Sequence, residues 1–224
     1  MDIRHHDFTS RSLSPARVYN ACYVASMPAP TDHEQRRLQL ADLAIDLIAE
    51  EGYDTVTIRR LAAATGYSTT AVTHYFPNKK AMMLHVYERC AELAQARVDA
   101  AHDADPGNLE ACLAALLPIG AMARKEWRAH LAFWPHALKD PELRQRQLWW
   151  MRKAEQTLAS ASTLACPAAG EAGCTHALLA TVVGIGVSAC FDPSWTDEAQ
   201  RAELPRLVAA HFAAGHHAAT RPGT

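Results

Sequence analysis

The chain lacks any surplus of basic residues: 22 Lys and Arg stand against 24 Asp and Glu, a formal net charge of −2 at neutral pH. That balance excludes a general nucleic-acid coating protein, which carries a basic excess, so any nucleic-acid contact must be local. The six cysteines (Cys22, Cys90, Cys112, Cys166, Cys174, Cys190) form no C-x-x-C pair and follow no secretory leader. A reduced, cytoplasmic protein is therefore expected. Long hydrophobic runs are missing too. The longest, Ala177 to Phe191, has 15 residues and contains Thr181, Gly184, Gly186 and Ser188, which is short for a bilayer span and reads as a buried helix. No stretch alternates with the period of two that strands require. There is no P-loop, no H-E-x-x-H and no G-x-S-x-G, and Gly184-Ile185-Gly186 lacks both the third glycine and the preceding strand of a dinucleotide site. No catalytic, cofactor-binding or metal-ligating residue is assigned, and the chain is not expected to be an enzyme. The nearest metal candidates, Cys174 with His176 and His211 with His216 and His217, have no recognised zinc spacing.

What is present is helical. The composition is 49% hydrophobic and 21% charged, rich in the Ala and Leu that favour helix, so an all-α fold is expected. Residues 1–30 show no helical periodicity and end in Pro28-Ala29-Pro30, which reads as a flexible extension whose Arg4, Arg11 and Arg17 could form a minor-groove arm. From Thr31 the apolar residues Leu40, Ala41, Ala44, Ile45, Leu47 and Ile48 recur at three- and four-residue spacing, and Gly52 is a natural stop. Thr57 caps a helix over Ile58–Ala64, Gly66 makes a tight turn, and Ser68 caps a third helix. Asn78 caps a long helix from Lys79 towards Ala101. Breaks at Asp105 to Asn108, Pro118, Asp140-Pro141, Cys166 to Gly173 and Asp192-Pro193 divide the rest into helices near 108–118, 120–138, 141–163, 173–191 and 196–215. Three regions follow: an extension over 1–30, a helix-turn-helix domain over 31–80 and a helical effector-binding and dimerisation domain over 81–216.

One segment concentrates positive charge. Thr57 to Lys80 holds Arg59, Arg60, Lys79 and Lys80 with no acidic residue, whereas Thr31 to Asp54 is net acidic. Two short helices pack closely only with a small residue in the first, a permissive turn and an apolar anchor in the second; Ala62, Gly66 and Val72 supply these. Ile58, Leu61, Val72 and Phe76 would then face a core, leaving Ser68, Thr69, Thr70, Thr73, His74 and Tyr75 outward, a set able to bond bases or phosphates. Lys79 and Lys80 open a helix, where their charge opposes the macrodipole unless an anion lies nearby.

Thr57-Ile58-Arg59-Arg60-Leu61-Ala62, then Gly66-Tyr67-Ser68, then His74-Tyr75-Phe76-Pro77-Asn78-Lys79 resemble the signature of the TetR family of transcriptional regulators, from about residue 35 to 90. The resemblance implies a helix-turn-helix in which Thr57 and Ser68 cap helices beside phosphates. It places Thr69, Thr70, Thr73 and His74 in the major groove, and Tyr75 and Lys79 on the DNA backbone. Thr70, Thr73 and Tyr67 stand where glycine, tyrosine and valine are common, so the operator sequence is not carried over. Glu126-Trp127, Leu131-Ala132-Phe133-Trp134 and Phe191-Asp192-Pro193 resemble the subgroup that includes the choline-responsive betaine repressor, which implies repression relieved by a small molecule. An activator or a metal-responsive regulator of the same fold is the alternative.

Because one recognition helix reads few base pairs, a homodimer on a palindromic operator is expected, with half-sites about 34–36 Å apart or a multiple. The small residues Ala177, Ala180, Thr181, Gly184 and Ser188 would let helix 173–191 approach a partner closely. All five tryptophans fall after residue 120. Met122, Trp127, Phe133, Trp134 and Met151 are expected to line an effector cavity for an apolar or cationic ligand, with His136 or Arg152 as a polar contact and Trp149 and Trp150 partly turned to solvent or a partner. The helix from Lys79 would carry ligand binding to the DNA.

Overall fold

Amphipathic segments of this spacing can bury their apolar stripes only against one another, and the computed structural model, which describes residues 32–165 and 172–219, packs them as nine helices among those residues, with no strand. They are α1 (Asp32–Glu51), α2 (Ile58–Thr65), α3 (Thr69–Tyr75), α4 (Lys79–Ala104), α5 (Leu109–Leu116), α6 (Ala121–Ala137), α7 (Pro141–Ala165), α8 (Ala172–Phe191) and α9 (Asp197–Ala219). The fold is all-α, and each end lies within a few residues of the position its breaker predicts. The extension over 1–30, and the side chains of Cys174, His216 and His217, lie outside the described residues.

The caps are side-chain made. Thr57 and Ser68 accept from the backbone N–H groups of Arg60 and Ala71, each at 3.1 Å, and Asn78 accepts from Ala81 N–H at 2.9 Å. Each such bond satisfies an otherwise orphan donor, worth about 1 kcal/mol. Gly66 ends α2 in the left-handed region at φ 72°, a conformation that a side chain would strain.

Two cores result. The first joins Leu40, Ala44, Ile45 and Ile48 of α1, Leu61 of α2, Val72 of α3 and Met82, Met83, Val86 and Tyr87 of α4 to Ala129, Phe133 and Ala137 of α6. The second joins Val98 of α4 to Leu109, Cys112 and Leu113 of α5, Leu158 of α7, Leu178, Leu179 and Val182 of α8 and Leu204 of α9. Since α4 and α6 complete the first core, packing is continuous across the expected 80/81 boundary. Charged tethers reinforce it: Arg89 of α4 grips Asp42 with two bonds of 2.7 and 3.2 Å, and Lys125 of α6 reaches Asp46 at 3.0 Å.

The two glycines of α8 have opposite surroundings. A Cβ at Gly186 would lie 2.4 Å from the Trp127 ring, whereas one at Gly184 would meet nothing within 4 Å. Gly186 thus makes room for an indole that is itself tied by its N–H to the Leu116 carbonyl at 2.8 Å. Gly186→Ala is expected to lower stability by about 1–3 kcal/mol through overpacking, and Gly184→Ala to leave the subunit's fold unharmed. Urea denaturation of both variants checks this, and equal midpoints would reject it.

Candidate nucleic-acid interface and buried cavity

On the helix-turn-helix, Leu61, Val72 and Phe76 are buried, so helical geometry forces the opposite side of α3 outward. Ser68, Thr69, Thr70, Thr73 and His74 are all exposed there, Thr57 is exposed at the start of α2, and Tyr75 is half-buried. The expected base- and phosphate-facing set is therefore presented together. Thr73 Oγ1 donates to the Thr70 carbonyl at 2.9 Å, which orients its hydroxyl. Two groups that the sequence reading passed over join this surface. His33 of α1 stacks on Tyr75 at 4.7 Å, and Arg36 lies over the Tyr67 ring at 5.9 Å. Only tertiary contact brings α1 to them, so no local pattern announced them.

The four cations differ. Arg59 is exposed. Arg60 is held by Glu51 through bonds of 3.0 and 3.1 Å, and Lys80 pairs with Asp140 at 3.2 Å and Glu142 at 3.4 Å at the start of α7. Lys79 donates to the Asp54 carbonyl at 2.9 Å and sits over the Tyr53 ring at 5.3 Å. Its conflict with the helix dipole is thus relieved by a carbonyl and a ring face, and two ammonium protons remain for another acceptor.

In the second half, α4, α5, α6, α7 and α8 line a cavity of about 440 Å³, within the range of small-ligand sites and open to solvent where Leu138, Arg144 and Leu148 are exposed. Of the residues expected there, Trp127, Trp134 and Met151 line it, as does Trp150. Three others do not. Phe133 lies at the edge of the lining face of α6 and is fully buried in the first core against Tyr53 and Tyr87. His136 stacks on Tyr53 at 3.7 Å instead, and Met122, in the first turn of α6, is exposed. α6 lines the cavity with Glu126, Trp127, His130, Trp134 and Ala137; His136 falls outside this arc, Met122 lies one turn before it, and Phe133, at its edge, is taken up by the first core. Arg152 and Trp149 are exposed. The polar wall residues Gln95, Arg97, Glu126, His130 and Gln147 were missed, because a polar residue inside an apolar helix looks like any solvated position until its neighbours are known.

These polar groups are largely engaged with protein. Arg97 and Glu126 form a buried ion pair, Gln95 donates to Asp99 at 2.7 Å, and Tyr87 donates to Gln147. A file of rings runs from this wall to the loop after α1: Trp134 to His130 (6.3 Å), His130 to Tyr87 (5.3 Å), Tyr87 to Phe133 (5.4 Å) and Phe133 to Tyr53 (5.1 Å). Tyr53 is the ring beneath Lys79.

On the outer side, Ala177, Ala180, Thr181, Gly184 and Ser188 of α8 are all exposed along one face, and the apolar Phe191 ends it 79% exposed. The metal candidates separate: His176 pairs with Glu155 at 2.6 Å and His211 with Ser162 at 2.6 Å. Among the described residues no three potential ligands converge, and no helix is long and apolar enough to cross a membrane.

Known proteins match at both ends of this arrangement. Residues 40–86 match the profile of bacterial regulatory proteins of the tetR family, and residues 107–215 that of the C-terminal domain of BetI-type transcriptional repressors. The regulator BetI of Burkholderia mallei is 31% identical over 166 residues, 71% of this chain and 84% of that protein. The chain belongs to the TetR family. Escherichia coli BetI is 28% identical over 191 residues, covering 81% and 93%. Among solved structures, a transcriptional regulator of Rhodococcus superposes with a TM-score of 0.71 at 25% identity, over 82% of this chain and 97% of that one. A regulator of Saccharomonospora viridis in complex with choline gives 0.71 at 23%, over 79% and 96%, which bears on the fold alone. As a TetR-family protein the chain is a DNA-binding transcriptional regulator of the ligand-responsive kind. The relatives are regulators, not enzymes.

Burial pushes the imidazoles of His85 and His130 down to about 4 from 6.5. For His85 the nearby Arg37 and Arg89 add to the effect. The folded protein keeps both neutral, while the unfolded chain takes up protons as pH falls below 6.5. Stability is therefore full above that value and declines as pH falls towards 4. Denaturation midpoints should fall across this window, and His130→Gln should lessen the fall; an unchanged slope in the variant would contradict the assignment.

Proposed function

We propose that this regulator is a repressor that binds a palindromic operator as a homodimer and leaves it when a small molecule enters the cavity between α4 and α8. The observation that carries this is the position of α4. Its first residue, Lys79, lies beside the recognition helix, and Cys90, Ala91, Ala94, Gln95 and Arg97 further along it line the cavity wall. Lys79 and Arg97 are separated by roughly 27 Å of one continuous helix. A ligand that favours one tilt of α4 changes the separation of two recognition helices in a dimer, and release requires only unequal ligand affinity for the two arrangements. The match of residues 107–215 to BetI-type repressors supports the direction of control. The choline held by the Saccharomonospora regulator supports a small organic effector.

The homodimer is proposed through the exposed face of α8. A helix apolar all round yet uncovered on one side needs a partner, and small residues permit close helix approach. In this reading Thr57, Ser68, Tyr75 and Lys79 meet phosphates, while Thr69, Thr70, Thr73 and His74 meet base edges.

Three substitutions test it on a selected operator. Lys79→Ala should weaken binding to every sequence and reduce the salt slope by about one, while Thr73→Ala should change base preference, by about 1–3 kcal/mol at one position. Gly184→Arg should give monomers in sedimentation and lose operator binding. If the first two bind like wild type in gel-shift titrations, the interface is misplaced; a soluble dimer of the third moves the subunit contact elsewhere.

A further inference from the structure

The cavity wall bears on what the effector can be. Among the described residues a single carboxylate lines it, that of Glu126, and this group is already closed against Arg97. Glu126 is 4% exposed, and burial pushes its carboxyl up even with a guanidinium beside it, so water does little to support charge there. A cationic ligand would have to draw Glu126, which has almost no access to water, away from Arg97, and an anionic ligand would have to draw Arg97 away and leave that buried carboxylate unpaired. Separating the pair is costly for either sign, whereas Arg97 Nη2 and the Trp134 indole N–H, both buried without a partner, are donors that an uncharged acceptor can meet with the pair intact. The second arginine of the wall, Arg144, is exposed at the α6–α7 turn and donates to the Leu138 carbonyl at 2.9 Å.

Aromatic faces do not replace the missing counter-charge. A cage for an ammonium group needs several rings around one point. Trp127 and Trp134 are seven residues apart on α6, roughly 10 Å along its axis. Trp127 is fixed by its bond to Leu116 and by Gly186 beneath it, and the Trp150 face already carries Lys153 Nζ at 5.4 Å. The rest of the wall is Cys90, Leu116, Leu138, Leu148, Met151, Leu179, Val183 and alanines, with Gln95, His130 and Gln147 as uncharged polar groups. Desolvating a charge is costly, and nothing here repays it, whereas an apolar body gains with every atom removed from water.

We infer that the cavity takes an uncharged, largely apolar molecule rather than an organic cation or anion. This deepens the proposed effector site and rests on it. The test uses the full chain and three ligands sharing one alkyl skeleton: 2-decanone, decanoate and decyltrimethylammonium. Binding is followed by calorimetry and tryptophan fluorescence, and operator affinity is measured in parallel. The ketone should bind at least about tenfold more tightly than either ion. Filling the cavity with Ala94→Trp should weaken ketone binding about tenfold or more, and Leu179→Trp, from the opposite wall, should do the same if the first variant fails to fold. Tighter binding of either ion, no saturable ketone binding, or ketone binding indifferent to the folded filled variants overturns the ligand class. Choline titrated alongside must also bind more weakly than the ketone; if it binds more tightly, the class is wrong while the effector role survives. Ketone binding lost on filling but without any change in operator affinity has the opposite meaning: the class holds and the effector role fails.

Discussion

Everything in this subunit depends on α4 being buried at both ends. Met82, Met83, Val86 and Tyr87 sit in the core shared with the DNA-binding helices, and Val98 sits in the core shared with α5 and α8. Each fully buried side chain of this size contributes about 1.5–3 kcal/mol relative to exposure. The helix is therefore not free to tilt against one core without straining the other. A closely packed interior responds to such strain by changing between discrete arrangements, not by deforming smoothly.

The polar contacts around α4 fit that mechanical role. At its start, Lys79 holds the Asp54 carbonyl and Lys80 reaches the α7 carboxylates Asp140 and Glu142. At mid-length, Tyr87 donates to Gln147 and Arg89 grips Asp42. Further on, Arg97 meets Glu126. The exposed pair at Lys80 contributes little, as surface ion pairs do, whereas losing one member of the buried pair would leave a charge uncompensated.

Phe133 and Trp134 show how one helix serves both halves. One residue apart on α6, they point about 100° apart: Phe133 into the DNA-binding core against Tyr53, Trp134 into the cavity wall. His130 and Tyr87 lie between them in the file of rings, and the Tyr87 hydroxyl engages a cavity residue. A ligand that moves Gln147 or Trp134 therefore acts on groups in contact with the first core. The same economy appears on α8, where Gly186 admits the Trp127 ring inward and Gly184 leaves bare backbone outward.

The helices, their caps and the outward face of α3 were legible in the sequence, because they rest on local rules: Thr57, Ser68 and Asn78 bond backbone three residues on, and apolar spacing assigns one face to the core. The small-residue face of α8 was legible for the same reason. Which aromatic belongs to which core was not. Composition marked Met122, Phe133, Trp134 and His136 alike, but only the rotation of α6 between two neighbours separates Trp134 from the other three. The cavity's polar wall was hidden as well: Gln95 and Arg97 come from α4 and Glu126 from α6, and such an ion pair has no signature until the chain brings its halves together. Local sequence determined the elements and the outward face of α3; the tertiary packing decided which side chains line the cavity, since that depends on contacts between residues far apart in the chain.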